Sequence, residues 1–468
     1  MVFSSMIFLW IFFPIVFMGN FILYKIGNFR LVNFFLLIAS LFFYAWGEPL
    51  YVFLMVFTVY CNWKLGLALE KSEHHRNKIL VVTILLNLAL LGWFKYAGML
   101  VSTFCTLLGI TYVMPEIPLP IGISFFTFQA LSYVIDVYRG ECKGQKSFSR
   151  LLLYVSFFPQ LIAGPIVKYK DVEAQIEKRA LTVSKTAEGI RRFSYGLGKK
   201  VLIANVLAAV ADSLYGLGIS EVSSPMVWVA SLCYTFQIYY DFSGYSDMAI
   251  GLGKMFGFDF KENFNYPYIS FSIREFWRRW HISLSSWFRE YVYISLGGSR
   301  KGKLRTYRNL LLVFFLTGLW HGASWNFVFW GMFHGAFLVI ERVGIGKLLE
   351  KQKILAWIYT FIVVHFGWVF FRIEDIKEGF AYLKRMVLPW RYMESGYSLF
   401  EFIDGRTLLS MGFALVGMGV FQHLSSGKIG KKLLAAEYLE IAFCTVILCF
   451  SLISLTGNTY NPFIYFRF

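Results

Sequence analysis

Residues 309–340 read NLLLVFFLTGLWHGASWNFVFWGMFHGAFLVI. The nearest formal charges are Arg308 and Glu341, so the run has none of its own. It divides into two candidate spans, 309–323 and 326–342, and each is barely long enough to cross a bilayer. The sequence therefore predicts an apolar hairpin whose two arms meet near Gly322–Asn326.

His321 lies near the centre of this hairpin. An ionisable group inside a membrane segment is costly, so it usually faces a cavity and marks a pathway or a reacting site. Histidine is also the side chain best suited to proton transfer near neutral pH. From its position alone, His321 is either such a group or a neutral imidazole hydrogen-bonded inside a helix bundle.

The composition indicates an integral membrane protein with many spans. The chain is 57% hydrophobic and 20% aromatic, and its mean hydropathy is +0.57. Charged residues make up 16%, whereas soluble domains average about 25%. The formal net charge of +17 does not indicate a nucleic-acid partner, because the basic residues fall in loops between apolar spans, which is the pattern of a cytoplasmic face.

Twelve stretches of near-bilayer length are candidate spans, and basic connectors separate many of them. The pattern predicts one membrane domain over 1–468, with N-terminal spans over 1–115, a central core over 118–345 and C-terminal spans over 354–468. It also predicts an external N-terminus and a first span that is retained rather than cleaved. The candidate spans are 6–24, 31–47, 50–69, 79–97, 121–138, 200–217, 226–250, 309–323, 326–342, 354–371, 406–423 and 437–456.

The stretch Leu151–Val167 does not fit a plain span. It contains Pro159, Gly164 and Pro165, which would break a regular helix twice. Irregular backbone at membrane depth is tolerated only where protein or a water-filled cavity covers it. This segment is therefore predicted to be re-entrant or interfacial, and the short hairpin arms point in the same way to a bundle with a funnel or thinned centre.

A second feature is the amphipathic pattern from Ser272 to Ser295. Aromatic and aliphatic residues recur at helical spacing on one face, while Arg274, Arg278 and Arg289 cluster on the other. The pattern predicts one helix lying in the membrane interface, with His281 at the border of its faces. This helix either only anchors a loop or forms the rim of a cytoplasmic entrance. In the second case Arg300 and Lys301, in the glycine-rich loop that follows, would help to receive the phosphates of an acyl donor.

Other motifs are less informative. Asp241 opens the string DFSGYSD, whose carboxylates are predicted to pair with arginines or to orient a histidine. This string lacks the positions of a calcium loop. The six cysteines show no paired spacing, so neither a disulfide framework nor a zinc site is predicted. The sequence contains no G-x-S-x-G and no H-E-x-x-H, so serine-hydrolase and zincin chemistry have no support.

Together these strings resemble the membrane-bound O-acyltransferase (MBOAT) family, especially its bacterial alginate and exopolysaccharide O-acetyltransferase branch. The resemblance runs in order from about residue 118 to the C-terminus. It departs at Arg467, where glutamine is expected. The motifs that carry it are FFPQLIAGP at 157–165, DFSGYSD at 241–247, FWRRWHISLS at 276–285, YVYISLGGSR at 291–300, TGLWHG at 317–322 and NPFIYFRF at 461–468.

The resemblance implies an all-α polytopic fold, with re-entrant and interfacial helices around a central funnel. It implies that His321 is the catalytic histidine and that His281 is a second functional position. It also implies acyl transfer, most simply of acetyl, from a cytoplasmic thioester to a hydroxyl at the outer face. Trp320, Trp325, Asn326 and backbone amides near the hairpin turn are candidates to stabilise the oxyanion, and Asp241 to orient a neighbour.

No bound cofactor or metal is expected, and acetyl-CoA or an acyl-carrier thioester would serve as the donor substrate. The expected partners are membrane lipids, a polysaccharide acceptor and an extracytoplasmic acetyltransferase or esterase-like protein, at a bacterial inner membrane. D-alanyl transfer to teichoic acid is the related alternative. A proton-coupled transporter, or a catalytically silent export scaffold, would be a different class of protein.

Overall fold

The computed structural model describes residues 1–112, 114–115, 117–420, 437–457, 460–461 and 463–464. The described residues are mainly helical, and none of them lies in a β-strand. The predicted all-α fold is therefore confirmed. Part of the C-terminal motif, including Arg467, lies outside the described residues.

The chain forms two compact units by its internal contacts, Met1–Phe193 with Ser246–Lys261, and Ser194–Tyr245 with Glu262–Phe468. The prediction of a single membrane domain over 1–468 stays a prediction. The helices that begin in the first unit are α1 Phe13–Ile26, α2 Phe29–Ala45, α3 Tyr51–Lys71, α4 Arg76–Leu91, α5 Ala97–Leu108, α6 Ile123–Arg139, α7 Phe148–Ser156, α8 Phe158–Leu161, α9 Tyr169–Glu177 and α10 Val183–Gly198, with π-helical turns at Phe8–Phe12 and Gly92–Tyr96.

The second unit holds the hairpin and all the candidate site residues. Its helices are α11 Asn205–Tyr215, α12 Ser224–Met255 (whose end belongs to the first unit), α13 Ile273–Arg279, α14 Ile282–Trp287, α15 Lys303–His321, α16 Trp325–Ile340, α17 Gly346–Leu349, α18 Lys353–Arg372, α19 Ile376–Val387, α20 Gly405–Leu415 and α21 Glu437–Gly457. Short π-helical or 3-10 turns lie at Lys199–Ala204, Pro267–Ile269, Phe288–Tyr293, Glu341–Ile345, Pro389–Arg391, Leu399–Glu401 and Val416–Val420.

Each of the twelve predicted spans overlaps a helix of the described chain, and the end of the span 406–423 lies outside the described residues. Six helical stretches of the described chain are long and apolar enough to cross a membrane, which makes this a multi-pass protein. The arm α15 is not among them, and α2 is apolar but short, with 17 residues. The six are Phe8–Ile26, Tyr51–Lys71, Arg76–Leu108, Trp325–Leu349, Lys353–Arg372 and Tyr438–Gly457.

Helix starts follow local sequence signals. Asn28, Ser272, Asp375 and Asp404 each stand at an N-cap, where the side chain accepts a backbone N–H of the first turn. Such caps satisfy donors that have no partner inside the helix. These four helices therefore begin where a short polar side chain caps the first turn.

The segment 151–167 breaks as predicted. Helix α7 ends at Ser156, α8 continues only from Phe158 to Leu161, and the chain after it is not helical as far as Lys168. All of these residues are buried. The proline and glycine pattern thus predicted the interruption of the helix. The irregular backbone is buried, which agrees with the expectation that protein or a water-filled cavity covers it.

The predicted interfacial helix over 272–295 is wrong in two respects. It is broken at His281 into α13 and α14, because His281 takes a left-handed backbone conformation with φ 43° and ψ 55°. Its aromatic side chains, such as Phe276 and Trp280, are buried inside the protein rather than in lipid. Helical periodicity identified the apolar face, but it does not distinguish a lipid environment from a protein core.

The hairpin α15–α16 forms as predicted, and its arms cross at two glycines. A Cβ on Gly318 would lie 2.3 Å from the Phe327 carbonyl oxygen, and one on Gly331 would lie 2.2 Å from the Phe314 carbonyl oxygen. Small residues let two membrane helices approach backbone to backbone in this way. The crossing therefore depends on the absence of both side chains.

We predict that Gly331→Ala destabilises the protein by about 1–3 kcal/mol, because the new methyl group must push α15 and α16 apart. The measurement is the thermal unfolding midpoint of the purified protein in detergent. The control is Gly412→Ala in α20, where an added Cβ meets no atom within 4 Å. Equal midpoints for the two variants would contradict the assigned role of the crossing.

Candidate active site

His321 is the last residue of α15, and its ring is held among aromatic side chains. The Trp330 ring of α16 lies 5.0 Å away at 86°, and the Phe371 ring of α18 lies 5.1 Å away at 79°. The residue is 7% exposed. The hairpin turn and two neighbouring helices thus place this imidazole inside the protein and not against lipid.

A small cavity of about 10 Å³ lies beside His321. A volume of this size is roughly enough for a single water molecule. Among the seven lining residues His321 is the only ionisable one. They are Ile238, Phe242, Trp280, His321, Trp368, Phe371 and Ile464.

His281 stands between α13 and α14, and Asn263 holds it. The Asn263 side-chain oxygen lies 3.2 Å from His281 Nδ1 and accepts hydrogen bonds from the Ser283 backbone N–H at 3.1 Å and the Ser283 hydroxyl at 2.8 Å. The backbone carbonyl oxygen of Asn263 also accepts a hydrogen bond from the Ile282 N–H at 2.9 Å. One asparagine therefore stabilises the left-handed turn that separates the two helices.

These contacts fix the tautomer of His281. The Ser283 backbone N–H can only donate, so the Asn263 atom that faces it is the carbonyl oxygen. His281 Nδ1 then donates to the same oxygen, which leaves Nε2 as the unprotonated nitrogen of the neutral ring. Burial lowers the pKa of His281 to about 3, so the ring stays neutral at physiological pH.

The two histidines predicted to be functional lie on either side of Trp320. The Trp320 ring is 5.0 Å from the His321 ring and 6.0 Å from the His281 ring. Phe242, which lines the cavity, is also 4.6 Å from the His281 ring. The structure thus brings His281, Trp320 and His321 into one buried cluster.

Asn326 joins the hairpin turn to the end of α18. Its amide nitrogen lies 3.4 Å from the Phe370 carbonyl oxygen and 3.3 Å from that of Ile373, and its oxygen accepts from the Ser324 hydroxyl. The amide hydrogens that an oxyanion would need are therefore directed at these carbonyls. Trp325, another candidate for that role, is 54% exposed.

Asp241 pairs with Lys200, and among the described residues it has neither an arginine nor a histidine partner. The Lys200 ammonium lies 2.6 Å from one carboxylate oxygen, and the Ile464 backbone N–H donates to the other at 2.7 Å. Both side chains of the ion pair are buried. Since Ile464 lines the cavity, Asp241 acts on the site through the C-terminal segment that it holds.

The five predicted donor-binding cations are all exposed: Arg274, Arg278, Arg289, Arg300 and Lys301. Within the described part of the chain none of them forms an ion pair, whereas Arg279 on the same helix pairs with Glu275 at 2.9 Å. The cations remain available to an anionic ligand.

Glu341 fixes the start of α13, the helix that carries Arg274 and Arg278. Its carboxylate accepts the backbone N–H groups of Ile273 at 2.6 Å and Arg274 at 3.2 Å. This carboxylate lies at the positive end of a helix, which favours it electrostatically. Neither Glu341 nor Asn263 was identified from the sequence, because each acts on residues that are distant along the chain.

The other two buried histidines have structural surroundings. His365 lies between the Ser231 hydroxyl at 3.0 Å and the Thr235 hydroxyl at 2.8 Å. His334 packs 5.1 Å from both the Trp277 and Trp330 rings, and neither of its nitrogens has a hydrogen-bond partner among the described residues. Neither residue lines the cavity beside His321.

Comparison with known proteins identifies the family. The family model of membrane-bound O-acyltransferases matches residues 38–374. A probable alginate O-acetylase of Pseudomonas aeruginosa is 45% identical over 406 residues, which is 85% of this chain and 75% of the relative. A peptidoglycan O-acetyltransferase of Helicobacter pylori is 38% identical over 83% of this chain and 80% of its own length.

A teichoic acid D-alanyltransferase of Bacillus subtilis is more distant. It is 29% identical over 54% of this chain and 68% of its own length. The residues matched by the family model include the hairpin and the buried histidine cluster. The chain belongs to the membrane-bound O-acyltransferase family and is an O-acyltransferase of the membrane.

Proposed function

We propose that this protein transfers an acetyl group from a cytoplasmic thioester to a hydroxyl of a secreted or cell-surface polysaccharide, at the outer face of a bacterial inner membrane. The observation that carries the proposal is the placement of His321 beside a small buried cavity, next to a second histidine. The names of the O-acetylating relatives support acetyl and a polysaccharide.

In this reaction neutral His321 takes the proton of the acceptor hydroxyl, and the oxygen of that hydroxyl attacks the acyl carbon. General-base help of this kind is typically worth about 10²–10⁴-fold. The C–O bond forms, the C–S bond breaks, and the thiolate that leaves takes up a proton to become the free thiol. The indole N–H of Trp320, buried beside both histidines, is our first choice to stabilise the oxyanion.

His281 cannot act first as a general acid, because its neutral ring has no proton on Nε2 to donate. Its Nδ1–H is directed at Asn263, and its Nε2 carries the lone pair. It therefore accepts a proton before it passes one on, which suits a relay to the departing thiolate. Asn263 is a positioning residue in this scheme, because it acts through the tautomer of His281.

The donor is proposed to be acetyl-CoA or an acetylated carrier protein, held by its phosphates on the exposed cations of 274–301. Phosphate recognition by arginine needs accessible guanidinium groups, and Arg278, Arg289 and Arg300 are exposed. The acceptor hydroxyl belongs to the polysaccharide itself or to an extracytoplasmic esterase-like partner that completes the transfer. D-alanyl transfer is the weaker candidate, since the D-alanylating relative matches only about half of the chain.

We predict that His321→Ala lowers acetyl transfer by about 10²–10⁴-fold, because the general base is lost. Thiol release from acetyl-CoA and from acetylated carrier protein is measured with the purified protein in liposomes, and acetyl content of the cell-surface polysaccharide in cells. The control is His334→Gln, which removes a buried histidine that does not line the cavity. Near wild-type transfer by His321→Ala would exclude the proposed mechanism.

We predict that Asn263→Ala lowers kcat about tenfold, because His281 loses the acceptor that fixes its tautomer. Asn263→Asp keeps that acceptor and restores part of the rate. Its carboxylate also favours the charged imidazole and raises the pKa of His281 from about 3. At neutral pH Asn263→Asp is expected to be faster than Asn263→Ala, and equal rates of the two variants would contradict the role of His281.

We predict that Arg278→Gln raises the KM for the donor about three- to tenfold with little change in kcat. The change removes a contact to the donor's phosphates that is equally strong in the ground state and in the transition state. The effect should shrink at high salt. Arg279→Gln is the matched control, since Arg279 lies on the same helix but is paired with Glu275. Equal effects of the two changes would indicate that this surface does not bind the donor.

A further inference from the structure

The cavity beside His321 has walls of bulky apolar side chains. Ile238 of α12 and Phe371 of α18 are each 3% exposed, and Trp368 is 1% exposed. Because the lining offers so little polarity, its natural occupant is a small apolar group next to the imidazole. In the proposed reaction that group is the methyl end of the acyl chain.

The walls support one another. The rings of Trp280 and Trp368 lie 4.8 Å apart, those of Trp368 and Phe371 lie 5.5 Å apart, and Trp330 stacks on Trp368 at 6.0 Å. A closely packed interior of this kind resists the insertion of even one methylene. The cavity therefore does not enlarge without displacing several rings at once.

Its size corresponds to a single small group. A cavity of about 10 Å³ holds about one water molecule, and so about one methyl group. Two further methylenes would have to displace Ile238 or an aromatic wall. Discrimination by a hydrophobic site is about 10- to 200-fold for each methylene.

We propose that this cavity is an acyl-size filter that admits acetyl and excludes butyryl and longer chains, with Ile238 and Phe371 as specificity-determining residues. The inference rests on the proposed function, because it assigns the cavity to the acyl group of the thioester. It adds to that function the residues that limit the length of the acyl group. The reaction itself is unchanged: the C–S bond breaks, the C–O bond forms, and the thiol leaves protonated.

The test compares acetyl, propionyl and butyryl thioesters of coenzyme A and of acyl carrier protein as donors for the full-length protein. The wild type should prefer acetyl over butyryl by about 100-fold or more in kcat/KM. Ile238→Ala removes three carbons from one wall, so it should raise kcat/KM for butyryl at least about tenfold and lower the ratio of acetyl to butyryl transfer. Ile238→Val, a milder change, should admit propionyl first.

The matched control is Ile250→Ala, the same substitution at a residue that is 1% exposed on the same helix but does not line the cavity. It should leave the acyl preference unchanged. Similar wild-type rates with all three donors would overturn the filter, as would an unchanged preference in folded Ile238→Ala and Ile238→Val. A wild type that releases no thiol from any donor would instead overturn the proposed function.

Discussion

Gly318 and Gly331 bring the two arms of the hairpin into backbone contact, and the surroundings of His321 follow from that contact. Because neither residue has a Cβ, α16 lies close enough for the Trp330 ring to reach the imidazole at 5.0 Å. Asn326, in the first turn of α16, then bonds to carbonyl oxygens at the end of α18. The position of this buried imidazole is thus set mainly by backbone geometry.

Among the described residues, those that line the cavity beside His321 include no carboxylate, lysine or arginine. Asp241, a buried carboxylate that contacts the lining residue Ile464, is neutralised by Lys200 and accepts the Ile464 backbone N–H, as a buried ion pair requires if it is to be tolerated. His281 is neutral, since burial lowers its pKa to about 3. A neutral base is suited to take a proton from a neutral hydroxyl, and the described side chains that line the cavity add no formal charge to oppose the developing imidazolium or oxyanion.

The sequence predicts features that depend on neighbouring residues, and it does not predict contacts between residues that are far apart in the chain. The hairpin and the break within 151–167 follow from apolar runs, proline and glycine. The break at His281 was not predictable, because the left-handed turn depends on Asn263, 18 residues away. Of the two carboxylates in 241–247, Asp247 pairs with Arg192 as predicted. Asp241 instead pairs with Lys200 and accepts the Ile464 amide, 223 residues away, which local sequence does not predict. The aromatic face of 272–295 was assigned to lipid because periodicity carries no information about what covers a helix.

The small cavity beside His321 is not the main source of binding energy for the proposed donor. The acyl group makes few contacts in about 10 Å³, so the cavity by itself contributes little affinity for a donor. In the proposed reaction the affinity must come from remote parts of the donor, and the unpaired cations on α13 and in the loop after α14 are the groups suited to its phosphates. This separation lets the cavity select the acyl group while the cationic surface holds its carrier. It also explains why the cations are exposed and the histidines are not.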